Sequence, residues 1–163
     1  MREEGSQPGT TTSGNVGTVD LEIVRLPNLG DLPLPRYMSD GASGMDLRAA
    51  VESVLSLEPG ERTLVPTGVA VAVPTGYEGQ VRPRSGLAHK RGVTVLNAPG
   101  TIDSDYRGEI KVILANLGEE TVNVERGDRI AQLVIAPVVR ARWAERRALA
   151  ETPRNDGGFG HTG

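Results

Sequence analysis

The chain has 163 residues, with 18 basic and 21 acidic side chains and a net charge of −3, enough for one compact domain and too few for two of ordinary size. Its 21 Gly and 11 Pro exceed ordinary usage yet stay below the roughly 25–30% that marks low-complexity chains, so they read as turns within a folded domain. The absence of cysteine excludes disulfides, thiolate metal sites and cysteine nucleophiles, no run approaches the ~18 apolar residues of a membrane span, and the slightly acidic balance argues against a broad nucleic-acid footprint.

Residues 1–18 are mostly Gly, Ser, Thr, Asn and Gln without apolar periodicity, the composition of a disordered leader. They carry no apolar segment that would export the chain, and a cytoplasmic protein is expected. From Val19 onward, short β-branched runs alternate with turn signals every 8–12 residues, the rhythm of an all-β sandwich or jelly roll. The runs are Leu21 to Leu26, Met45 to Ala50, Val54 to Leu57, the TLVP stretch, Gly68 to Pro74, Gly79 to Arg84, Gly92 to Asn97, Glu109 to Leu117, Thr121 to Glu125 and Arg129 to Val139. One or two short helices are expected: Ser85 to Lys90, and Ala141 to Glu151, whose composition favours helix. Residues 19–151 are therefore read as one domain, and residues 152–163, rich in Gly and without a burial pattern, as a mobile tail.

Several segments carry residues suited to chemistry. The single Phe of the chain, Phe159, lies within GGFG; either it stacks on a flat group such as a nucleobase while glycine amides reach phosphate oxygens, or it belongs to a tail that meets nothing. In PRSGLA, Pro83 to Ala88, Ser85 is placed to cap a short helix and Arg84 to aim a bidentate donor at an anion. The stretch from Asn97 to Glu109 lies between two strong strands and is too long for a tight turn, so it reads as a functional β-hairpin loop. Within it, Ile102 can pack inward and leave the Asp103 carboxylate at a cavity rim, placed to act as a base. An Asx-turn is the competing reading, and it suits Asp105 better than Asp103. Tyr106 is either a core filler or a platform for a sugar. SGMDLRA around Asp46 and RGDRIAQ around Gln132 read as turns feeding strands. With only two histidines, a hydrolase triad is poorly supported, and no HExxH, GxxxxGK[ST] or GxGxxG occurs.

Taken in order, five segments resemble the five motifs of the homotrimeric dUTPases, over Ala42 to Gly163: SGMDL, PRSGLA, Asn97 through GTIDSDYRGEI, RGDRIAQL, and Arg154 with GGFGHTG. The resemblance implies a jelly-roll-like β-barrel of the β-clip type, assembled as a trimer whose active sites each draw on more than one subunit. It implies hydrolysis of dUTP to dUMP and pyrophosphate with Mg²⁺ as cofactor. Asp103 would be the general base, and Asn97 with the backbone around Thr101, Ile102 and Lys111 would hold the uracil. Tyr106 would stack under the deoxyribose. Arg84, Ser85, Gly86 and Gln132 would hold the phosphates, Arg154 and Phe159 would close a C-terminal lid over the nucleotide, and Asp46 would stand in the outer shell of the metal. One departure is visible: the family commonly has Gly directly after the tail arginine, where this chain has Asn155, a change expected to stiffen tail closure slightly. A dCTP deaminase of related fold and a non-catalytic trimeric barrel are the rival readings.

Overall fold

The computed structural model describes residues 17–158, so the expected leader, apart from Gly17 and Thr18, lies outside the described residues. Ten strands follow in chain order: β1 (Glu22–Arg25), β2 (Met45–Arg48), β3 (Leu55–Leu57), β4 (Arg62–Ala72), β5 (Tyr77–Arg82), β6 (Val93–Val95), β7 (Gly100–Ile102), β8 (Glu109–Asn116), β9 (Val122–Val124) and β10 (Arg129–Pro137). One short helix, α1 (Ser85–Arg91), and a 3-10 turn at Pro27–Leu29 complete the described elements. The expected all-β class is what the chain adopts.

Two four-stranded antiparallel sheets, ordered β1-β4-β8-β6 and β2-β10-β5-β7, face each other, with a small β3-β9 pair beside them. Alternation of side chains along the strands explains how they meet. In β8, Ile110, Val112 and Leu114 are buried while Lys111 is exposed, and in β9 Val122 and Val124 are buried around an exposed Asn123. One core joins the sheets, with Val65, Val112 and Leu114 from the first packed into the same cluster as Leu47, Val81 and Leu133 from the second.

Three differences from the expected elements have physical causes. TLVP and the Gly68 to Pro74 run as far as Ala72 are one strand, β4, because both halves pair with β8, with a register shift between Pro66 and Ala70. Pro66 has no N–H to give and Gly68 takes a left-handed φ of 72°, a bulge of the kind that proline and glycine mark in strands. Side chains make up the lost ladder bonds there: the Thr67 hydroxyl donates to the Ile110 carbonyl, and the Gly68 N–H donates to Glu109 Oε1 at 2.8 Å. Gly68 is also tight against Leu29, whose Cα would stand 2.6 Å from a β-carbon at that position.

Second, the loop expected over Asn97 to Glu109 contains β7. The flanking strands β6 and β8 do pair antiparallel, but Gly100–Ile102 leaves their sheet and pairs with β5 in the other one. A three-residue run carries too little pattern to announce itself. Third, Ala141 to Glu151 is not helical. The strands end at Pro137, and residues 138–151 form exposed chain; Val139, Trp143 and Leu149 are each more than nine-tenths exposed. A short segment with helical composition needs a surface for its apolar face, and within its own chain this one meets none.

Asn116 ties the small sheet to the large ones. It is fully buried, its amide nitrogen donates to the carbonyls of Leu57 and Glu120 at 2.8 Å each, and its oxygen accepts the Gly118 N–H at 2.9 Å. Asn116→Ala strands all three partners at once, and a buried group left without its partner costs more than a bond gains. We expect a loss of about 3 kcal/mol in unfolding free energy by urea titration. An unchanged midpoint would contradict this role.

Candidate active site

The β7–β8 connection encloses a cavity of about 310 Å³. Asn97, Thr101, Ile102, Asp103, Tyr106 and Lys111 all line it, with Val81 of β5 and Leu64 of β4 closing the wall. Ile102 is buried and Asp103 is exposed, which sets the carboxylate at the rim. The turn after it closes through backbone, Tyr106 N–H to the Asp103 carbonyl at 3.1 Å, and Arg107 Nη1 donates to the carbonyls of Ser104 and Tyr106 at 2.8 Å. The Asp103 and Asp105 carboxylates take no part in it, so the Asx-turn is not what shapes this loop. Tyr106 is half exposed rather than a core filler, and its hydroxyl donates to the Glu109 carbonyl at 2.9 Å. Lys111 Nζ lies 3.7 Å from Glu109 Oε2.

A second cluster lies at the ends of β2, β5 and β10. The register sets Gln132 opposite both Asp46 and Arg82. Asp46 is 6% exposed, and each of its oxygens takes one arginine: Oδ1 accepts from Arg84 Nε at 3.2 Å, and Oδ2 from Arg129 Nη1 at 3.1 Å. Arg84 Nη1 also donates to the Arg129 carbonyl at 3.1 Å. A buried carboxylate between two guanidiniums fixes them at a short separation, where their positive field adds up. Arg129 was not singled out by the sequence, although it stands inside RGDRIAQ; its pairing depends on the β2–β10 register. Ser85 is the first residue of α1 rather than its cap, since Arg84 holds the cap position in extended conformation without a side-chain cap bond. Ser85 and Gly86 are both exposed there, beside N–H groups that helix geometry leaves without intrahelical acceptors.

The cavity and the arginine cluster share no lining residue. Arg154 lines neither and lies in an exposed turn, its Nε donating to the Gly157 carbonyl at 2.7 Å. Thr152 and Asn155 exchange two bonds across that turn, at 2.8 and 3.0 Å. Asn155 has φ 42°, a left-handed conformation that Asn tolerates better than other side chains and that suits a position where glycine is common. Phe159 lies outside the described residues. For a divalent cation, no cluster of three His, Asp or Glu occurs among the described residues. The two arginines use two of the roughly four acceptor directions of Asp46, which leaves others for the outer shell of a Mg²⁺ carried by phosphates and water.

An all-β barrel that holds a nucleoside-sized cavity and, apart from it, paired arginines suited to phosphate belongs to the class of nucleotide-processing enzymes. Known proteins narrow that class. The dUTPase family model matches residues 31–163. The chain is 63% identical over 145 residues to a deoxyuridine 5'-triphosphate nucleotidohydrolase of Rhizobium leguminosarum bv. trifolii, covering 88% of this chain and 93% of that one. It is equally 63% identical to the enzyme of that name from Aquifex aeolicus, covering 89% and 97%. Among solved structures, the Staphylococcus bacteriophage 80alpha dUTPase, a single-site variant with dUpNHpp, superposes with a TM-score of 0.78 at 26% identity, covering 90% of this chain and 99% of that chain. The chain belongs to the dUTPase family of dUTP diphosphatases, enzymes of the jelly-roll β-clip fold.

Asp46→Asn keeps the shape but removes the charge that holds both guanidiniums. Misplacing a positioning group by about 1 Å can cost about a hundredfold, and we expect kcat/KM for dUTP to fall by about that factor. Parental kinetics would show that the arginines hold their places without Asp46.

Proposed function

We propose that the chain hydrolyses dUTP to dUMP and pyrophosphate by water attack at the α-phosphorus, supplying dUMP for thymidylate synthesis and keeping uracil out of DNA. The observation that carries this reading is the carboxylate of Asp103 at the rim of a cavity with room for a nucleoside, in a chain of this family. The Asn97 amide and the backbone of Gly100 to Lys111 read the uracil edge, and the Ile102 side of the pocket excludes a 5-methyl group. Tyr106 lies under the deoxyribose and excludes a 2'-hydroxyl. Arg84, Ser85, Gly86 and Gln132 hold the phosphates, joined by Arg129, which neutralises charge that develops on the departing pyrophosphate. Asp103 orients the water and takes its proton, so no covalent nucleophile is required. Mg²⁺ bound with the triphosphate would supply further neutralisation of phosphate charge, and Asp46 is the residue that would hold its outer shell. Arg154 and Phe159 then close over the nucleotide and exclude bulk water.

We infer a homotrimer with shared sites. Its support is that the nucleoside cavity and the arginine cluster share no lining residue within one chain, together with the exposed Val139, Trp143 and Leu149 of the C-terminal arm, apolar side chains available to a second copy. We assign the protein to the cytoplasm, which suits a chain without cysteine; among the described residues no helix is long and apolar enough to cross a membrane.

In heavy-oxygen water the label should enter dUMP, and Asp103→Asn should keep nucleotide affinity while losing about 10²- to 10⁴-fold in kcat. Label in pyrophosphate would place the attack at the β-phosphorus instead. Parental turnover by the variant would remove Asp103 as the base.

A further inference from the structure

Tyr106 is 45% exposed, yet its ring has a defined seat. Its hydroxyl is tied to the Glu109 carbonyl at 2.9 Å, which folds the ring back across the intervening Gly108. A β-carbon built at position 108 would stand 2.7 Å from Tyr106 Cζ and 3.1 Å from Cε2, and nearer still to the hydroxyl oxygen. No side chain fits between them. The backbone at 108 is not in the left-handed region, so conformational freedom does not explain the glycine. The hydroxyl end of the ring lies too close to leave room for a β-carbon.

We propose that Gly108 is a positioning residue that determines sugar specificity: its missing side chain lets the hydroxyl end of the Tyr106 ring fold back against the chain at the cavity edge, which sets the ring where it meets the 2'-position. The inference rests on Tyr106 being the sugar platform, as set out under Proposed function. With alanine at 108 the ring must swing outward and release the Glu109 carbonyl. Because the ring is the far end of an exposed side chain, that swing costs the fold little. What changes is the wall that a ribonucleotide would strike. A close-fitting wall rejects an added hydroxyl by about a hundredfold, and a displaced ring surrenders a large part of that.

The test measures kcat/KM for dUTP and for UTP, with Mg²⁺ present, and the melting temperature, for the parent, Gly108→Ala, Tyr106→Ala and the double variant. The expected result is that Gly108→Ala lowers the dUTP-to-UTP ratio about tenfold at an unchanged melting temperature. Adding Gly108→Ala to Tyr106→Ala should change the ratio no further, because the group it displaces is gone. Tyr106→Phe, which keeps the ring and loses its tie to Glu109, should lower the ratio in the same direction, and it reads the seat independently of the folding of any position-108 variant. A parental ratio in Gly108→Ala with a lowered one in Tyr106→Ala overturns the proposal and leaves the platform intact. An equal drop from Gly108→Ala in both backgrounds also overturns it. A parental ratio in Tyr106→Ala, or a parent that does not turn over dUTP, removes the underlying reading and the proposal with it.

Discussion

Glu109 joins the barrel to the cavity. Its side chain, half-buried at the start of β8, accepts the Gly68 N–H at 2.8 Å and the Asn28 amide at 2.7 Å through one oxygen, filling the gap that Pro66 and Gly68 open in the β4–β8 ladder. Its own carbonyl receives the Tyr106 hydroxyl. A charged acceptor makes hydrogen bonds roughly twice as strong as neutral pairs, so the carboxylate holds β4, the Pro27–Leu29 turn and the start of β8 in one register. The nucleoside cavity inherits that rigidity, because its wall from Glu109 to Lys111 is the continuation of the same strand.

At the other end of the second sheet, Asp46 does for the arginines what Glu109 does for the cavity. Burial of its carboxylate is tolerable only because two guanidiniums meet it, and their placement follows from β10 lying between β2 and β5. The two constructions share no lining residue. On the reading proposed above, a chain alone carries the nucleoside half and the phosphate half of different sites, and only assembly brings complementary halves together. That arrangement makes catalysis conditional on oligomerisation without requiring any moving part in the barrel.

Much of the barrel was legible because burial on one face of a strand imposes a period of two: the runs at Glu109 to Leu117 and Arg129 to Val139 became β8 and β10 within a few residues. What escaped depended on partners remote in sequence. Gly100–Ile102 is a strand only because β5 offers it an edge, and β4 is continuous only because β8 spans its proline. Ala141 to Glu151 has helical composition but meets no packing surface within its own chain, and composition cannot report a missing surface. The site divides the same way. Asn97, Asp103, Tyr106 and Lys111 lie within fifteen consecutive residues between the end of β6 and the start of β8 and could be grouped by proximity along the chain, whereas the Asp46–Arg84–Arg129 bridge joins three separate strand ends. Gly108 was invisible for another reason, since its contribution is the room that an absent side chain leaves.

The central claim is that a working site combines Asp103 of one chain with Arg84 of another. It is tested by co-refolding two variants that are each inactive alone, Asp103→Asn and Arg84→Ala, in equal amounts and measuring dUTP hydrolysis. If sites are shared around a cyclic assembly, random assortment restores both residues in about a quarter of them, and the mixture regains activity that neither variant has. A mixture as inactive as its components would contradict the account and return both residues to a site within a single chain.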